Sequence, residues 1–220
     1  MIAASSMPSS PTHPPSLYRS LALFAWWTLG ACSLRAADPA EAARLVEILA
    51  LGPGQTVADV GAGEGDFVPA LAEAVGESGR VIATEVEQDL VDEIRDLAAT
   101  KGLPQVSVHL GDQEGSGLPP SCCDAILLRL VYHHFTQPAV MREDLERALT
   151  PGGLIAIVDI TPQEDWRELP GVPDRGGHGV PTDDLVDEMI GSGFEWVESI
   201  PNWNGDADRF ALLFRRSKNS

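Results

Sequence analysis

The fold of this chain is decided by the stretch Val57-Ala58-Asp59-Val60-Gly61-Ala62-Gly63-Glu64-Gly65. Its first half is a short apolar run interrupted by one acid, which is typical of a buried parallel strand. Glycines follow at alternate positions, and apolar residues then recur at helical spacing. A strand, a glycine turn and a helix in this order bring backbone N–H groups to a ligand at the start of the helix. The spacing is G-x-G-x-G, which differs from the G-x-G-x-x-G of dinucleotide-binding sheets.

Strands and helices alternate on both sides of this stretch. An amphipathic helix is predicted before it, with Asp38 as N-cap and Pro39 at the first helical position. Further strands are predicted at 80–84, 106–110, 123–128 and 154–158, with helices between them and a turn at 151–153. A polar loop is predicted at 161–181, followed by a helix at 182–190 and strands at 194–200 and 207–214. We therefore predict an α/β, Rossmann-like doubly wound sheet of five parallel strands plus a closing antiparallel strand pair, with helices on both faces.

Composition limits the class of partner. The chain has 220 residues, of which 44% are hydrophobic, and a formal net charge of −18. So acidic a surface repels the phosphates of nucleic acids and the headgroups of an anionic membrane. We therefore expect no nucleic-acid partner.

Residues 1–37 are predicted to be a leader, separate from a domain at 38–216. The segment 1–16 is rich in Ser and Pro, which is typical of disorder, and the apolar run 21–30 after Arg19 resembles a secretory signal. This run is too short to span a bilayer comfortably. Leu29-Gly30-Ala31-Cys32 resembles a bacterial lipobox in which Cys32 is lipidated, and cleavage near Ala36 or Ala37 is the alternative. We expect an exported, periplasmic or lipid-anchored bacterial protein that meets the membrane only through Cys32; the alternative is a cytoplasmic protein.

Polar residues at the predicted strand ends are the candidate binding groups, because ligands of open α/β sheets bind at the carboxyl ends of the strands. Glu85 lies 20 residues beyond Gly65, at the end of the second strand, where a carboxylate can accept hydrogen bonds from both hydroxyls of a ribose. Asp112 can accept a hydrogen bond from an adenine amino group or form a Gly-Asp turn. Arg129 can meet a substrate carboxylate or pair with an acid.

The segment after the fourth strand supplies the candidate catalytic residues Tyr132, His133 and His134. Histidine is the usual base near neutral pH, and His134 is the preferred candidate. The alternative is that one histidine caps the next helix while the other packs. Asp159 ends the fifth strand and can face the same site.

Three further expectations concern loops and cysteines. His178, between two glycines, lies in a loop that can close over a substrate. No metal site is expected, because adjacent His133 and His134 should point in different directions and no second cluster has ligand spacing. Cys122 and Cys123 are expected to be small buried residues and not to form a disulfide with each other.

Taken together, five ordered pieces over about residues 40–215 resemble the class I S-adenosylmethionine-dependent methyltransferases. The pieces are VADVGAGEG, the strand-terminal acid in VIATEV, the GD of HLGDQEG, DAILLRLVYHHF and LTPGGLIAIVDI. In particular, the chain is similar to small bacterial methyltransferase-like proteins with an export signal and a V-Y-H-H segment after the fourth strand.

The resemblance implies S-adenosyl-L-methionine as cofactor and methyl transfer to a small-molecule acceptor. It implies that Glu85 binds the ribose and that Asp112 and Gln113 flank the adenine. The methionine part would be held by Asp59, Gly61, Ala62, Gly63, Glu64 and Gly65, and Arg129 completes the predicted cofactor-binding set. The alternatives are an exported, non-catalytic ligand-binding protein with the same fold and a nicotinamide-dependent oxidoreductase, which the glycine spacing disfavours.

Overall fold

The computed structural model describes residues 37–112, 115–163 and 170–218. The helices in these ranges are α1 (Pro39–Ile48), α2 (Val68–Val75), α3 (Gln88–Lys101), α4 (Pro138–Ala148) and α5 (Thr182–Gly191). The strands are β1 (Thr56–Val60), β2 (Arg80–Glu85), β3 (Val106–Leu110), β4 (Cys123–Arg129), β5 (Leu149–Ile160), β6 (Phe194–Pro201) and β7 (Arg209–Arg216). Short 3-10 turns occur at Tyr132–His134 and Trp203–Gly205.

All seven of these strands form one sheet in the order β3-β2-β1-β4-β5-β7-β6. Strands β1 to β5 run parallel to one another, β7 is antiparallel to β5, and β6 is antiparallel to β7. The predicted five parallel strands and closing antiparallel pair are therefore confirmed. The strand order reverses between β1 and β4, so the ligand-binding edge of the sheet is expected beside the carboxyl ends of these two strands.

The sheet is covered on both faces because side chains alternate along each strand. Val57 and Ala58, neighbours on β1, belong to two different hydrophobic clusters. Helices α1, α2 and α3 supply buried residues to the cluster of Val57, for example Leu71. Helices α4 and α5 supply them to the cluster of Ala58, for example Leu145 and Leu185. The predicted helices on both faces are thus confirmed.

Helix α1 begins as its sequence predicts. The Asp38 carboxylate accepts a hydrogen bond of 2.9 Å from the backbone N–H of Ala40, and Pro39 takes the first helical position. This cap satisfies one of the N–H groups that a helix start leaves without a partner.

Two local features differ from expectation. Strand β5 starts at Leu149, directly after α4, and includes the Pro151-Gly152-Gly153 segment that predicts a turn; the pairing with β4 shifts register between Cys123 and Ala125. The segment is therefore an irregularity inside a strand.

Cys122 and Cys123 are joined by a disulfide, so the expectation that they do not bond is wrong. Cys122 precedes β4 and so lies outside the side-chain alternation of the strand, which allows its sulfur to reach that of Cys123.

The predicted leader at 1–37 lies outside the described residues apart from Ala37, and so do Cys32 and Gln113. Among the helices that the structure describes, none combines the length and apolar character needed to cross a membrane.

Candidate active site

The glycine loop after β1 is shaped by backbone conformations that favour glycine. Gly61, Gly63 and Gly65 have φ values of 71°, 57° and 80°. A Cβ on Gly61 would lie 2.5 Å from Cγ2 of Val131, and one on Gly65 would lie 3.1 Å from Cγ1 of Ile94. No heavy atom lies within 4 Å of the Cβ position of Gly63. The loop thus packs closely at its two ends and leaves open space at its centre, where a ligand can approach the backbone.

Glu85 at the end of β2 faces this loop. The backbone N–H of Gly63 donates to Oε2 of Glu85 over 2.9 Å, and that of Val86 donates to Oε1 over 2.6 Å. The N–H groups of Gly61 and Ala62 donate to the carbonyl oxygen of Thr84. These bonds tie the loop to the β2 end, so the carboxylate predicted to bind a ribose lies against the predicted methionine-binding loop.

A cavity of about 430 Å³ opens beside these residues, within the usual size range of small-molecule sites. It brings together four of the sequence-predicted site residues, Gly61, Glu85, Asp112 and His134. The remaining lining residues are Val60, Thr84, Val86, Glu87, Gly111, Gly115, Ser116, Val131, Phe135, Thr136, Met141, Pro170 and Val172. One space therefore joins the ends of β1, β2 and β3 to the segment that follows β4.

Asp112 lines the cavity and accepts a local backbone hydrogen bond. Its Oδ1 accepts a hydrogen bond of 2.8 Å from the backbone N–H of Gly115. This bond uses one carboxylate oxygen, and the role of Asp112 toward an adenine stays a prediction.

Asp59 is buried beneath the loop. Loss of hydration raises its pKa from the ordinary value of 3.8 to about 7; the negative charges of Glu85 and Asp66 add to this rise, and Arg129 opposes it. Near neutral pH this carboxyl group is consequently part protonated and part ionised.

Arg129 pairs with an acid, as one of its two sequence-based interpretations states. Its Nε and Nη2 donate to the two oxygens of Glu41 over 2.9 and 3.0 Å, and the indole N–H of Trp203 donates to the same carboxylate over 2.9 Å. Burial alone would raise the pKa of Glu41, but these hydrogen bonds outweigh it and hold the pKa below its ordinary value. Arg129 is not among the residues that line the cavity. The sequence offers no signal for this pair, since the partners are 88 positions apart.

Tyr132 also lies away from the cavity lining. Its side chain is fully buried, and its hydroxyl donates to Oε2 of Glu188 and accepts from Nη1 of Arg142 over 2.9 Å. Burial and the Glu188 carboxylate raise the pKa of Tyr132. Its position is that of a group linking α4 and α5, and its sequence-based catalytic role stays a prediction.

His133 is held by the acid at the end of β5. Its Nδ1 lies 2.5 Å from Oδ1 of Asp159, its backbone N–H donates to Oδ2 over 3.3 Å, and both residues are buried. A carboxylate at this position fixes the proton of the neutral ring on Nδ1, which leaves a lone pair on Nε2. That Nε2 lies 3.1 Å from Nε2 of His178.

His134 completes a three-histidine cluster. Its ring centroid lies 4.0 Å from that of His133 and 5.2 Å from that of His178. The expectation that the adjacent histidines point apart, on which the absence of a metal site was based, is therefore wrong. Partial burial, followed by the charges that His133 and His178 would carry, lowers the pKa of His134 to about 4. Burial likewise lowers the pKa of His178.

Known proteins similar to this chain include several methyltransferases. Residues 57–153 match the family described as Methyltransferase domain. Nocamycin O-methyltransferase of Saccharothrix syringae is 30% identical over 136 residues, which are 62% of this chain and 49% of that protein. The ubiquinone/menaquinone biosynthesis C-methyltransferase UbiE of Hydrogenovibrio crunogenus is 26% identical over 117 residues, 53% of this chain and 46% of that protein. The chain spans about half the length of these curated relatives.

Among solved structures, a SAM dependent methyltransferase from Aquifex aeolicus aligns with a TM-score of 0.66, over 81% of this chain and 93% of that chain, at 23% identity. At this identity the likeness shows the fold. Residues 57–153 are therefore a methyltransferase domain, and the sheet has the fold of S-adenosylmethionine-dependent methyltransferases. The glycine loop facing a strand-terminal acid agrees with the class I members of that fold. The cofactor of this class is S-adenosyl-L-methionine.

Proposed function

We propose that this protein transfers the methyl group of S-adenosylmethionine to a small molecule bound at the His134 end of the cavity. The observation that carries the proposal is the continuity of one cavity of about 430 Å³ from Gly61 and Glu85 to His134. A cofactor held at the glycine loop and an acceptor beside the histidines would then share a single space, as direct transfer requires.

The residues at the strand ends suit the cofactor. The backbone at Gly63 is open to a ligand because no atom occupies the space that a Cβ would fill. Glu85 can accept hydrogen bonds from ribose hydroxyls, and Asp112 lies at the wall where the third strand ends. When bound, the cofactor supplies a methyl group already activated by its sulfonium centre. The chain therefore needs to align the reactants and limit water, with little covalent chemistry of its own.

The other end of the cavity suits an acceptor with an apolar body and one polar group. Phe135, Met141 and Val172 provide apolar surface, while Thr136 and His134 provide polar atoms. Because the chain carries a net charge of −18, we propose a neutral or cationic acceptor in preference to an anionic one.

His134 is assigned to positioning this acceptor. With its pKa lowered to about 4, the ring is neutral near pH 7. A base works best when its pKa lies near the working pH, so a ring with so low a pKa gains little from accepting a proton. A neutral imidazole can still accept a hydrogen bond from an acceptor hydroxyl or amine.

Calorimetric titration with S-adenosylmethionine, S-adenosylhomocysteine and NAD tests the proposal. We expect micromolar affinity for the two adenosyl compounds, weakened at least tenfold in Glu85→Gln and unchanged in Glu93→Gln. Glu93 is the matched control, since it is an exposed acid on α3 that does not line the cavity. Tight binding of NAD alone would support the oxidoreductase alternative. A folded protein that binds none of the three would leave the ligand-binding alternative.

We also propose that residues 1–37 direct export and that Cys32 is a site of lipid attachment. Support comes from the sequence, in which Arg19 precedes an apolar run and a lipobox-like Leu29–Cys32 segment. Cell fractionation with mass spectrometry of the mature N-terminus tests this, with Cys32→Ala expected to release the protein from the membrane fraction. An intact N-terminus in the cytoplasmic fraction would contradict the proposal.

A further inference from the structure

We infer that His133, His134 and His178 form a binding site for a divalent transition-metal ion of the zinc type. One nitrogen from each ring can be chosen so that all three lie within 4.8 Å of one another. The inference concerns the protein before any cofactor or acceptor binds, and it holds whether or not methyl transfer is the reaction.

The spacing of the ring nitrogens suits a common ion. Two nitrogens bound to a tetrahedral zinc at about 2.0–2.1 Å lie roughly 3.3 Å apart. Nε2 of His133 and Nε2 of His178 are 3.1 Å apart, close to that value. His134 is the exposed member of the three and one of its nitrogens lies within 4.8 Å of the other two, so a small rotation of its side chain would bring a third nitrogen into reach of an ion.

The tautomer of His133 is the one that a metal requires. The Asp159 carboxylate accepts a hydrogen bond from Nδ1–H of His133. The lone pair of the neutral ring therefore lies on Nε2, toward His178. Metal-binding histidines usually donate their other N–H to a carboxylate or carbonyl in this way, which orients the ring and raises its basicity. The buried charge of Asp159 also balances part of the charge of a divalent ion bound by three neutral ligands.

The backbone around His178 holds this residue in place. The N–H of Gln163 donates to the carbonyl oxygen of His178 over 2.9 Å, and the N–H of His178 donates to the carbonyl oxygen of Gln163 over 3.1 Å. On either side, Gly177 and Gly179 have φ values of 137° and 133°. A Cβ on Gly177 would lie 2.5 Å from the carbonyl oxygen of Gln163, and one on Gly179 would lie 2.7 Å from that of Ile160. Glycine on both sides is what lets the segment press against the end of β5.

A second anchor fixes the loop that carries His178. Nη2 of Arg175 donates to both oxygens of Glu188 on α5, over 2.7 and 2.9 Å. Arg142 on α4 donates to the same carboxylate over 2.7 Å. The approach of His178 to His133 is therefore supported by contacts on both sides of the loop.

The donor set indicates the kind of metal and its role. Three imidazoles suit zinc, copper, nickel or iron and suit magnesium or calcium poorly, since these prefer oxygen ligands. Zinc sites with three protein ligands keep a position for a further ligand, whereas purely structural sites are usually closed by four. His134 lines the cavity, so this position would face it. With the ion bound, an acceptor hydroxyl would bind the metal in place of the hydrogen bond to His134 and would be more acidic, a role that rests on the proposed function.

Zinc binding by the isolated chain tests the inference. The protein, carrying no polyhistidine tag, is stripped with a chelator and titrated with Zn²⁺ in the absence of cofactor and acceptor. We expect one Zn²⁺ per chain, and we expect Co²⁺ to produce the visible absorption of a tetrahedral site. Since neither readout requires cofactor binding, failure here is distinguishable from failure of the methyl-transfer proposal.

Single substitutions locate the ion. His134→Ala and His178→Ala each remove one ligand from a position that is not deeply buried, and we expect both to lower Zn²⁺ affinity at least tenfold while preserving the circular dichroism spectrum. His109→Ala is the matched control, because His109 is exposed on β3 and outside the cluster. Absence of zinc binding in the wild-type chain would overturn the inference. Equal binding by wild type and both cluster variants would overturn it as well.

Discussion

Nδ1 of His133 lies 2.5 Å from Oδ1 of Asp159, and both side chains are buried where β5 ends beside the turn that follows β4. Asp159 also accepts from the backbone N–H of Ile160 over 2.8 Å, so the carboxylate is held before it orients the imidazole. The pair joins the sheet edge to the histidine cluster, and it determines which nitrogen of His133 carries a lone pair.

Asp159→Asn is expected to weaken metal binding without affecting the cofactor. An amide of similar shape keeps the packing but accepts less strongly from Nδ1, and loss of such a carboxylate typically lowers metal affinity ten- to a hundredfold. We expect Zn²⁺ affinity to fall by about this factor while calorimetric S-adenosylmethionine affinity stays within about twofold. An equal loss of both affinities would indicate general disruption of the site, and unchanged Zn²⁺ affinity would contradict the role assigned to Asp159.

Gly63→Ala is expected to separate folding from cofactor binding. The residue has φ 57°, and a Cβ there meets no heavy atom within 4 Å, so the substitution costs only the backbone strain of about 1 kcal/mol. The methyl group would occupy the open space over the loop, and we expect S-adenosylmethionine affinity to fall at least tenfold by calorimetry.

Gly102→Ala is the matched control for this experiment. Gly102 ends α3 with φ 65°, and its Cβ position is equally open, so the strain is similar. We expect the same loss of stability and no loss of cofactor affinity. If both variants bound the cofactor as wild type does, the loop would not be the cofactor site.

Glu41→Gln is expected to destabilise the fold. The buried carboxylate accepts from Arg129 and Trp203, and its loss leaves a partly buried guanidinium with a neutral partner. Breaking a buried pair from one side costs about 3–5 kcal/mol; because Arg129 is partly exposed and glutamine retains some hydrogen bonding, we expect roughly 2 kcal/mol. Urea unfolding measures it. The control is Glu47→Gln, since Glu47 is an exposed acid on the same helix, and it should leave the urea midpoint unchanged. Equal urea midpoints for Glu41→Gln and Glu47→Gln would contradict the prediction.

Asp59 is expected to make stability fall as pH rises. Its pKa is about 7 in the folded chain and 3.8 ordinarily, so between these values the folded state binds more protons than the unfolded state. The contribution of Asp59 is fully present below about pH 4 and is lost as pH rises through 7, with a slope of at most about 1.4 kcal/mol per pH unit.

Asp59→Asn tests this pH dependence in the cofactor-free protein. The amide does not ionise, so the variant should gain stability relative to wild type as pH increases from about 5 to about 8. Urea unfolding at several pH values gives the difference. Parallel stability curves for the two proteins would show that Asp59 titrates at its ordinary pKa.

Local patterns predicted most of the elements for physical reasons. Strand β3 occupies the predicted residues 106–110, and Asp38 and Pro39 begin α1 as expected, because periodicity and capping depend on neighbouring residues. The Pro151–Gly153 segment shows the limit of such patterns. Its composition favours a turn, but pairing with β4 on one side extends β5 through it with a register shift.

Pairing between distant polar groups was beyond sequence reasoning. The sequence predicts Arg129 to be part of the cofactor-binding set, whereas its carboxylate partner Glu41, 88 positions away, carries no motif. Glu188, which joins Tyr132 to Arg142 and Arg175, likewise carries no sequence motif. Ion pairs of this kind depend on which helix faces cross in space, and the periodicity of one segment does not contain that information.

The doubly wound sheet, the glycine loop and the acid at the end of β2 can be predicted from the sequence alone, since each depends on residue types at short spacing. The contact of His178 with His133 across 45 positions, and the turn of His134 toward the same point, follow from the tertiary structure. Side-chain convergence requires the end of β5, the loop after it and the turn after β4 to pack together. Packing of that kind is a property of the whole fold, whereas strand and turn patterns are properties of neighbouring residues.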